Sequence, residues 1–155
     1  MAREPSEQQA DVFISADLIA TYQGADYRFS ISEAEVVLRV GRRVDVPQIF
    51  HRHGRIAVVT AYNPFGRDTD DHINRERQRE LIASVESEGL EWLHAVWTDV
   101  DGICPPEPSL AVFDASDAQL DQWMERFDQN GVVIATSTSP ATLRLHPRAR
   151  VEDHS

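Results

Sequence analysis

Apolar residues follow two different periods along this chain, one typical of strands and one typical of helices. Residues 56–61 (Ile-Ala-Val-Val-Thr-Ala) form an almost continuous apolar run of strand length, as expected for a central strand covered on both faces. Later, large apolar side chains recur at i, i+3, i+4 and i+7: Leu120, Trp123, Met124 and Phe127. Ser116 and Gln119 form a capping box before this stripe, which predicts a helix packed against the 56–61 strand at Val58 and Val59.

Further elements are predicted on both sides of these two. Ser15 has the character of a helix N-cap, and Phe29 extends the apolar stripe of the helix that follows it. A longer helix is predicted from about residue 70 to 88, with the apolar stripe Ile73, Leu81, Ile82 and Val85. A short helix is expected at 47–50, and strands are expected at 35–40, 92–97, 109–113, 132–135 and 142–145.

The order of elements from residue 56 to 136 is strand, helix, strand, strand, helix, strand. This order predicts an α/β (α+β) fold with a ferredoxin-like split βαβ core (β-α-β-β-α-β). A helix and a strand are added before the core, and one strand is added after it. We expect a single domain over residues 12–146, with a disordered tail at 1–11 and a polar tail at 147–155.

Charge and composition exclude several classes of function. The 155 residues carry a formal net charge of −11, and all 15 basic residues are arginines. Without lysine there is no Schiff-base chemistry and no phosphate-binding loop of the GxxxxGK[ST] type. The negative field opposes nucleic acid, so no nucleic-acid partner is expected.

The opening segment and the single cysteine bear on the cellular compartment. Residues 1–10 are polar and lack the apolar run of a signal peptide. Cys104 has no second cysteine to pair with, and no apolar stretch approaches the roughly 20 residues of a membrane helix. We therefore expect a cytoplasmic protein with no membrane partner.

Several short motifs lie at predicted element boundaries. They are Thr60-Ala61-Tyr62-Asn63-Pro64, Asn74 in the following helix, Glu107-Pro108-Ser109 before a strand, and Gln129-Asn130 after the amphipathic helix. With these motifs the chain resembles the bacterial domain-of-unknown-function family 3293, over roughly residues 18–145. The resemblance implies a location for a site but no activity.

The loop that contains Tyr62 and Asn63 is the first candidate ligand site. It follows the 56–61 strand and precedes a helix, and ligands often bind at the carboxyl ends of strands in α/β sheets. Asn74 shares a helical face with Leu81 and Val85, so its amide is expected to point inward and to need partners. The alternative is that Asn63 and Asn74 only hold the loop backbone.

Glu107 is the candidate catalytic residue. If the strand begins near Ser109, both side chains lie on one face by the period of two, and a carboxylate beside apolar groups is suited to act as a general base. The alternative is a solvated loop acid or an ion pair with Arg75 or Arg77. Arg77 is also a candidate anion contact, against the alternative that it extends to solvent. Gln129 completes the candidate set.

No metal site and no cofactor are predicted. His51 and His53 diverge on a helix and cannot ligate one ion together. The residues favour binding of a small polar or anionic ligand near the Tyr62-Asn63-Pro64 loop, and they leave open whether that ligand is turned over. The alternative is a non-catalytic protein–protein interaction or regulatory module, with a homo-oligomer as one form of it.

Overall fold

The computed structural model describes residues 10–44, 47–99 and 105–152, and within these ranges the protein is mixed α+β. The helices are α1 (Ala16–Gly24), α2 (Asp71–Ser87) and α3 (Asp117–Phe127). The strands are β1 (Val12–Ser15), β2 (Asp26–Ile31), β3 (Ala34–Leu38), β4 (Arg55–Val59), β5 (Trp92–Thr98), β6 (Glu107–Phe113), β7 (Gly131–Thr136), β8 (Thr142–Leu145) and β9 (Ala149–Glu152). Short 3₁₀ turns span Pro47–His51 and Pro64–Gly66.

Seven strands form one antiparallel sheet in the order β3-β2-β5-β6-β4-β7-β8. The sheet curls so far that its two edges approach each other. Val40, just after β3, forms a bridge with Ala141 beside β8, and the Gly41 amide donates a 2.8 Å hydrogen bond to the Ala141 carbonyl. The curl therefore encloses an inner face and leaves an opening at the end of the sheet.

Both faces of the sheet are covered, and each has its own core. Helices α2 and α3 cover the outer face, where Leu81 and Trp123 pack with Ala57 and Val59. The inner face is buried by the curl itself, which brings strand residues from β2 and β3 over Val58. This explains the unbroken apolar run of β4, since successive side chains enter opposite cores.

Helix α3 agrees with the predicted cap and apolar stripe. The Gln119 amide donates to Ser116 Oγ at 3.1 Å, and the Gln119 side chain accepts from the Ser116 amide. The four predicted stripe residues are all buried. The predicted packing partner is correct for Val59, whereas Val58 faces the other core.

Helix α2 buries Leu81 and Val85 of the predicted stripe but not Ile73. Its buried residues are Asn74, Gln78, Leu81 and Val85, and Ile73 is 43% exposed. The prediction for Ile73 is wrong because adjacent helical residues point about 100° apart, and the face centred on Leu81 includes Asn74 instead. The predicted inward orientation of Asn74 is confirmed.

The N-terminal region contains two strands that are not predicted, β1 and β2. Ser15 caps α1 by accepting a 3.1 Å hydrogen bond from the Leu18 amide, as predicted. The helix ends at Gly24, however, and Phe29 is a buried residue of β2 rather than part of the helical stripe. Tyr27 and Phe29 are buried at a period of two, which is the strand pattern.

The C-terminal region also contains a strand where a polar tail is predicted. Ala149–Glu152 forms β9, which pairs with β1 in parallel. Its side chains are mostly exposed, so the strand depends on backbone pairing that a hydrophobic pattern does not report. Residues 1–9 of the predicted 1–11 tail, the end of the chain after residue 152, and Cys104 lie outside the described residues. Within the described ranges, no helix has the length and apolar character needed to cross a membrane.

Candidate functional site

A cavity of about 680 Å³ opens at the end of the curled sheet. Its wall includes side chains of α1, the loop after β4, the start of α2, and the ends of β5 and β6. It is lined by six of the seven predicted site residues: Tyr62, Asn63, Asn74, Glu107, Ser109 and Gln129. The structure therefore brings six of the seven predicted residues to one concave surface.

The loop after β4 has an unusual backbone. Asn63 (φ 47°), Phe65 (φ 53°) and Gly66 (φ 77°) all lie in the left-handed region. Asparagine and glycine tolerate this conformation, whereas phenylalanine adopts it at a steric cost. Such a backbone persists only where its surroundings hold it.

Asn74 supplies much of that support. Its Oδ1 accepts from the Asn63 amide at 2.8 Å, and its Nδ2 donates to Asn63 Oδ1 at 2.9 Å and to the Thr69 carbonyl at 3.1 Å. The amide group of Asn74 is thus occupied by the loop. Although Asn74 lines the cavity, the contacts match the predicted alternative in which it holds the loop backbone.

Gln129, just after α3, and Arg77, on α2, also hold the loop through main-chain carbonyls. Gln129 Nε2 donates to the carbonyls of Tyr62 (3.0 Å) and Phe127 (3.1 Å). Arg77 Nε donates to the Ala61 carbonyl at 3.0 Å, and one Nη donates to the Phe127 carbonyl. Arg77 does not line the cavity. Its predicted role as an anion contact is replaced by a bracing role, because its guanidinium points back at main-chain carbonyls.

Glu107 lies at the inner wall of the cavity, at the first position of β6. Trp97 Nε1 donates to Glu107 Oε2, and Asn63 Nδ2 donates to Oε1 at 3.5 Å. Burial raises the pKa of this carboxyl from 4.5 to about 7, and the two hydrogen bonds lower it by less than burial raises it. The carboxyl is therefore able to gain or lose a proton near neutral pH.

Neither predicted ion-pair partner reaches Glu107. Arg75 pairs with Asp71 at 3.0 Å, one turn away on the exposed face of α2, and Arg77 is bound to carbonyls. Glu107 therefore has neutral donors around it rather than a counter-ion. A carboxyl in that setting is poised to interact with a ligand that brings its own charge or proton.

Ser109 and Tyr62 occupy different depths of the cavity. Ser109 is buried, and its hydroxyl donates to the Glu107 carbonyl at 3.3 Å. Tyr62 lies at the mouth, where burial raises the pKa of its phenol, as does the charge of Asp71. Ser109 thus supports the strand that carries Glu107, whereas the Tyr62 ring borders the entrance.

Three aromatic residues that were not predicted as site residues also line the cavity: Tyr22, Tyr27 and Trp97. The Tyr27 hydroxyl donates to the Tyr22 carbonyl at 2.9 Å, and the Tyr22 hydroxyl accepts from Asn130 Nδ2 at 3.2 Å. Burial raises the pKa of both phenols. The alternation of Tyr27 and Phe29 in β2 is the sequence signal that would have placed Tyr27 on an inner strand.

The charge at the cavity is negative. Asp68, Asp71 and Glu107 line it, and none of the described arginines does. Among the described residues, no group of three or more His, Cys, Asp or Glu side chains is arranged to hold a metal ion. His53 lies elsewhere, with Nδ1 2.7 Å from Asp114 Oδ2 and Nε2 3.3 Å from Glu91 Oε2.

Comparison with known proteins gives one match. No curated protein sequence and no solved structure matches the chain. The model of a family described as a protein of unknown function, DUF3293, matches residues 59–132. This range is shorter than the predicted resemblance, and it contains all seven predicted site residues but neither Tyr22 nor Tyr27. Residues 59–132 thus match the family of unknown function DUF3293, as the motifs around Asn63 and Glu107 predict.

Proposed function

We propose that this protein binds a small organic molecule in the cavity beside the Tyr62-Asn63-Pro64 loop, with Glu107 as the central polar contact. One observation carries the proposal: a partly buried carboxyl faces a cavity of about 680 Å³, and no cationic side chain of the described residues pairs with it. Cavities of this size, with a largely apolar wall and a few placed polar groups, are typical of small-molecule sites. A braced left-handed loop at the rim is also typical of functional sites.

The negative charge of the cavity lining indicates which kind of ligand the cavity can bind. The sequence favours a small polar or anionic ligand, and Arg77 was the residue expected to contact an anion. With Arg77 bound to carbonyls and three carboxyl groups on the wall, an anion would meet repulsion from Asp68, Asp71 and Glu107. A neutral or cationic molecule fits these surroundings better.

Glu107 is also the candidate for a general base if the bound molecule is turned over. A pKa of about 7 lets the carboxyl accept a proton near neutral pH. The indole of Trp97 holds one carboxyl oxygen, which fixes the direction of the group. Loss of turnover in Glu107→Gln at ligand concentrations that saturate the variant would support this role, and unchanged turnover would contradict it.

The test of the binding proposal is a screen of small organic molecules by protein-observed NMR. Binders are expected to shift the indole Nε1–H resonance of Trp97 and to raise the melting temperature. Glu107→Gln should weaken the binders, whereas Glu80→Gln, which removes an exposed carboxylate on α2, should leave them unchanged. A screen in which no molecule shifts the resonances of the cavity residues would contradict the proposal.

A second candidate function is protein–protein interaction, including self-association. Phe13 and Val151, on the two-stranded sheet of β1 and β9, are 65% and 53% exposed. Exposed apolar side chains on short strands with open edges favour pairing with another chain. Sedimentation of the full chain and of Phe13→Ser tests this: a dimer that Phe13→Ser dissociates would support it, and a monomer in both would contradict self-association.

We further propose that the core is ferredoxin-like. The order β7-β4-β6-β5, the antiparallel pairing, and the two crossover helices α2 and α3 on one face support this assignment. We also propose that the protein is located in the bacterial cytoplasm and that it binds neither nucleic acid nor a membrane. The net charge of −11 supports the exclusion of nucleic acid.

A further inference from the structure

We propose that the ligand of this cavity is an organic cation, whose substituted ammonium group lies against Trp97, Tyr22 and Tyr27 with Glu107 as its counter-ion. This inference rests on the proposed function, because it names the chemical class of molecule that the same cavity takes. It goes beyond that proposal in requiring a positive charge on the ligand.

The first argument is a row of side chains across three strands. Tyr27 pairs with Trp97 in the β2–β5 register, and Trp97 pairs with Glu107 in the β5–β6 register. Residues paired in this way share a face of the sheet, with Cβ atoms about 5 Å apart. The sheet itself therefore places a phenol, an indole and a carboxyl side by side on the inner wall.

The second argument is the angle between the rings. Tyr22 extends from α1, and its ring centroid lies 6.1 Å from that of Trp97 at an interplanar angle of 79°. The Tyr27 ring lies 6.2 Å from the Trp97 ring at 31°. The rings thus form walls of different orientation around one volume. A cation within about 6 Å of several ring centroids is attracted by each, and the attraction strengthens where water is excluded.

The third argument is charge. The carboxyl of Glu107 is bound by two neutral donors, Trp97 and Asn63, and no basic side chain of the described residues lines the cavity. A cationic ligand supplies the missing counter-charge. An organic cation fits better than a metal ion, because the wall offers aromatic faces and one inner carboxyl rather than a shell of oxygen ligands.

The binding equilibrium should be coupled to a proton. The pKa of Glu107 lies near 7 in the free protein because of burial, and a cation beside the carboxyl lowers that pKa. Binding therefore releases a proton, and affinity should fall about tenfold for each pH unit below the pKa of the free protein. The other titratable groups around the cavity are Tyr22 from α1, Tyr27 from β2, Tyr62 and Asp68 from the loop, and Asp71 from α2.

Those other groups are not expected to account for the same pH dependence. Burial raises the pKa of Tyr22, Tyr27 and Tyr62 above the ordinary value of 10.0. The two aspartates lie at the rim, on the loop and at the start of α2, and neither is bonded to Trp97. Replacing Glu107 alone should therefore remove the coupling.

The experiment compares choline with 3,3-dimethylbutan-1-ol, which has the same shape without the charge. Both are titrated against the full chain, with the Trp97 indole resonance as the readout, at pH 6 and pH 8. We expect choline to bind about tenfold more tightly than the neutral alcohol at pH 8, and to lose most of that preference at pH 6. Glu107→Gln should reduce the preference and abolish its pH dependence, whereas the control Glu80→Gln should keep both.

The outcomes separate this inference from the proposed function. If the neutral alcohol binds at the cavity as tightly as choline, the cavity is a ligand site but the ligand is not a cation. If choline binds equally well to Glu107→Gln, or shifts only resonances outside the cavity, the inference is overturned as well. If neither probe binds and the wider screen also finds no ligand, the proposed function itself fails.

Discussion

Asn63 and Asn74 hold each other through two reciprocal hydrogen bonds across the rim of the cavity. The Asn63 amide donates to Asn74 Oδ1 at 2.8 Å, and Asn74 Nδ2 donates to Asn63 Oδ1 at 2.9 Å. This pair fixes Asn63 at φ 47°, which in turn aims Asn63 Nδ2 at Glu107. A helix residue thereby positions a loop residue, and the loop residue contacts the carboxyl.

Replacing Asn74 tests this support. Asn74→Ala leaves the Asn63 amide and the Thr69 carbonyl without their buried partner, so we expect the free energy of unfolding to fall by about 1–3 kcal/mol. Urea denaturation measures the change. The control Glu80→Ala, on the exposed face of the same helix, should stay within about 0.5 kcal/mol of the parent. Equal stability of Asn74→Ala and the parent would contradict the bracing role.

The raised pKa of Glu107 predicts a pH dependence of stability. Because the pKa in the folded state is about 7 against an ordinary 4.5, the native state binds more protons than the unfolded state between these values. The contribution of Glu107 is therefore fully present below pH 4.5 and is lost as the pH rises to 7.

Urea denaturation of the parent and of Glu107→Gln at pH 4.5 and pH 7.5 measures this contribution. The parent should lose on the order of 2 kcal/mol relative to the variant over that interval. The comparison cancels the titration of all other groups. A parallel pH dependence in the two proteins would show that the carboxyl is solvated.

The buried ring of His146 predicts that the stability of the protein changes with pH in the opposite direction. Its ring is buried, Nδ1 accepts from the Arg148 amide at 3.1 Å, and burial lowers its pKa from the ordinary 6.5. Stability from neutral His146 is therefore present above pH 6.5 and is lost as the pH falls below it. Glu125, with Oε1 3.6 Å from Nε2, partly opposes the shift.

An NMR titration of the imidazole measures this pKa directly. We expect a pKa below 6.5 in the parent, and a still lower pKa in Glu125→Gln, because the carboxylate that favours the imidazolium is gone. Glu80→Gln, far along α2, should leave the titration unchanged. A His146 pKa at or above 6.5 would be inconsistent with the buried, neutral ring.

Trp123 tests the outer core between α3 and the sheet. The side chain is buried, and its Nε1 donates to Ser84 Oγ of α2 at 3.0 Å. Trp123→Ala should destabilise the protein by about 3–5 kcal/mol through the cavity it leaves. Gln122→Ala, at an exposed position of the same helix, provides the control. A loss below about 1 kcal/mol for Trp123→Ala would mean that the ring contributes little to the core.

The sequence predicted best where a local pattern and the tertiary contacts agree. In α3 the capping box and the i, i+3, i+4, i+7 stripe specify the ends and the buried face, because both depend on residues within two turns. The prediction was weaker in β9, where pairing with β1 decides the structure, and in α2, where Asn74 rather than Ile73 belongs to the buried face. The inward orientation of Asn74 follows from its helical spacing to Leu81, but its hydrogen-bond partners on the loop do not.

The candidate site also has one part that local sequence patterns predict and another part that depends on tertiary contacts. Apolar runs and prolines in the sequence mark the ends of the elements that carry Tyr62, Asn63 and Glu107, and so predict that these residues lie near one edge of the sheet. Tertiary contacts, in contrast, bring Tyr22, Tyr27 and Trp97 to the cavity beside Glu107 and direct Arg77 to the Ala61 carbonyl. Strand register and sheet curl bring together residues that are far apart in the chain, and no local pattern encodes either.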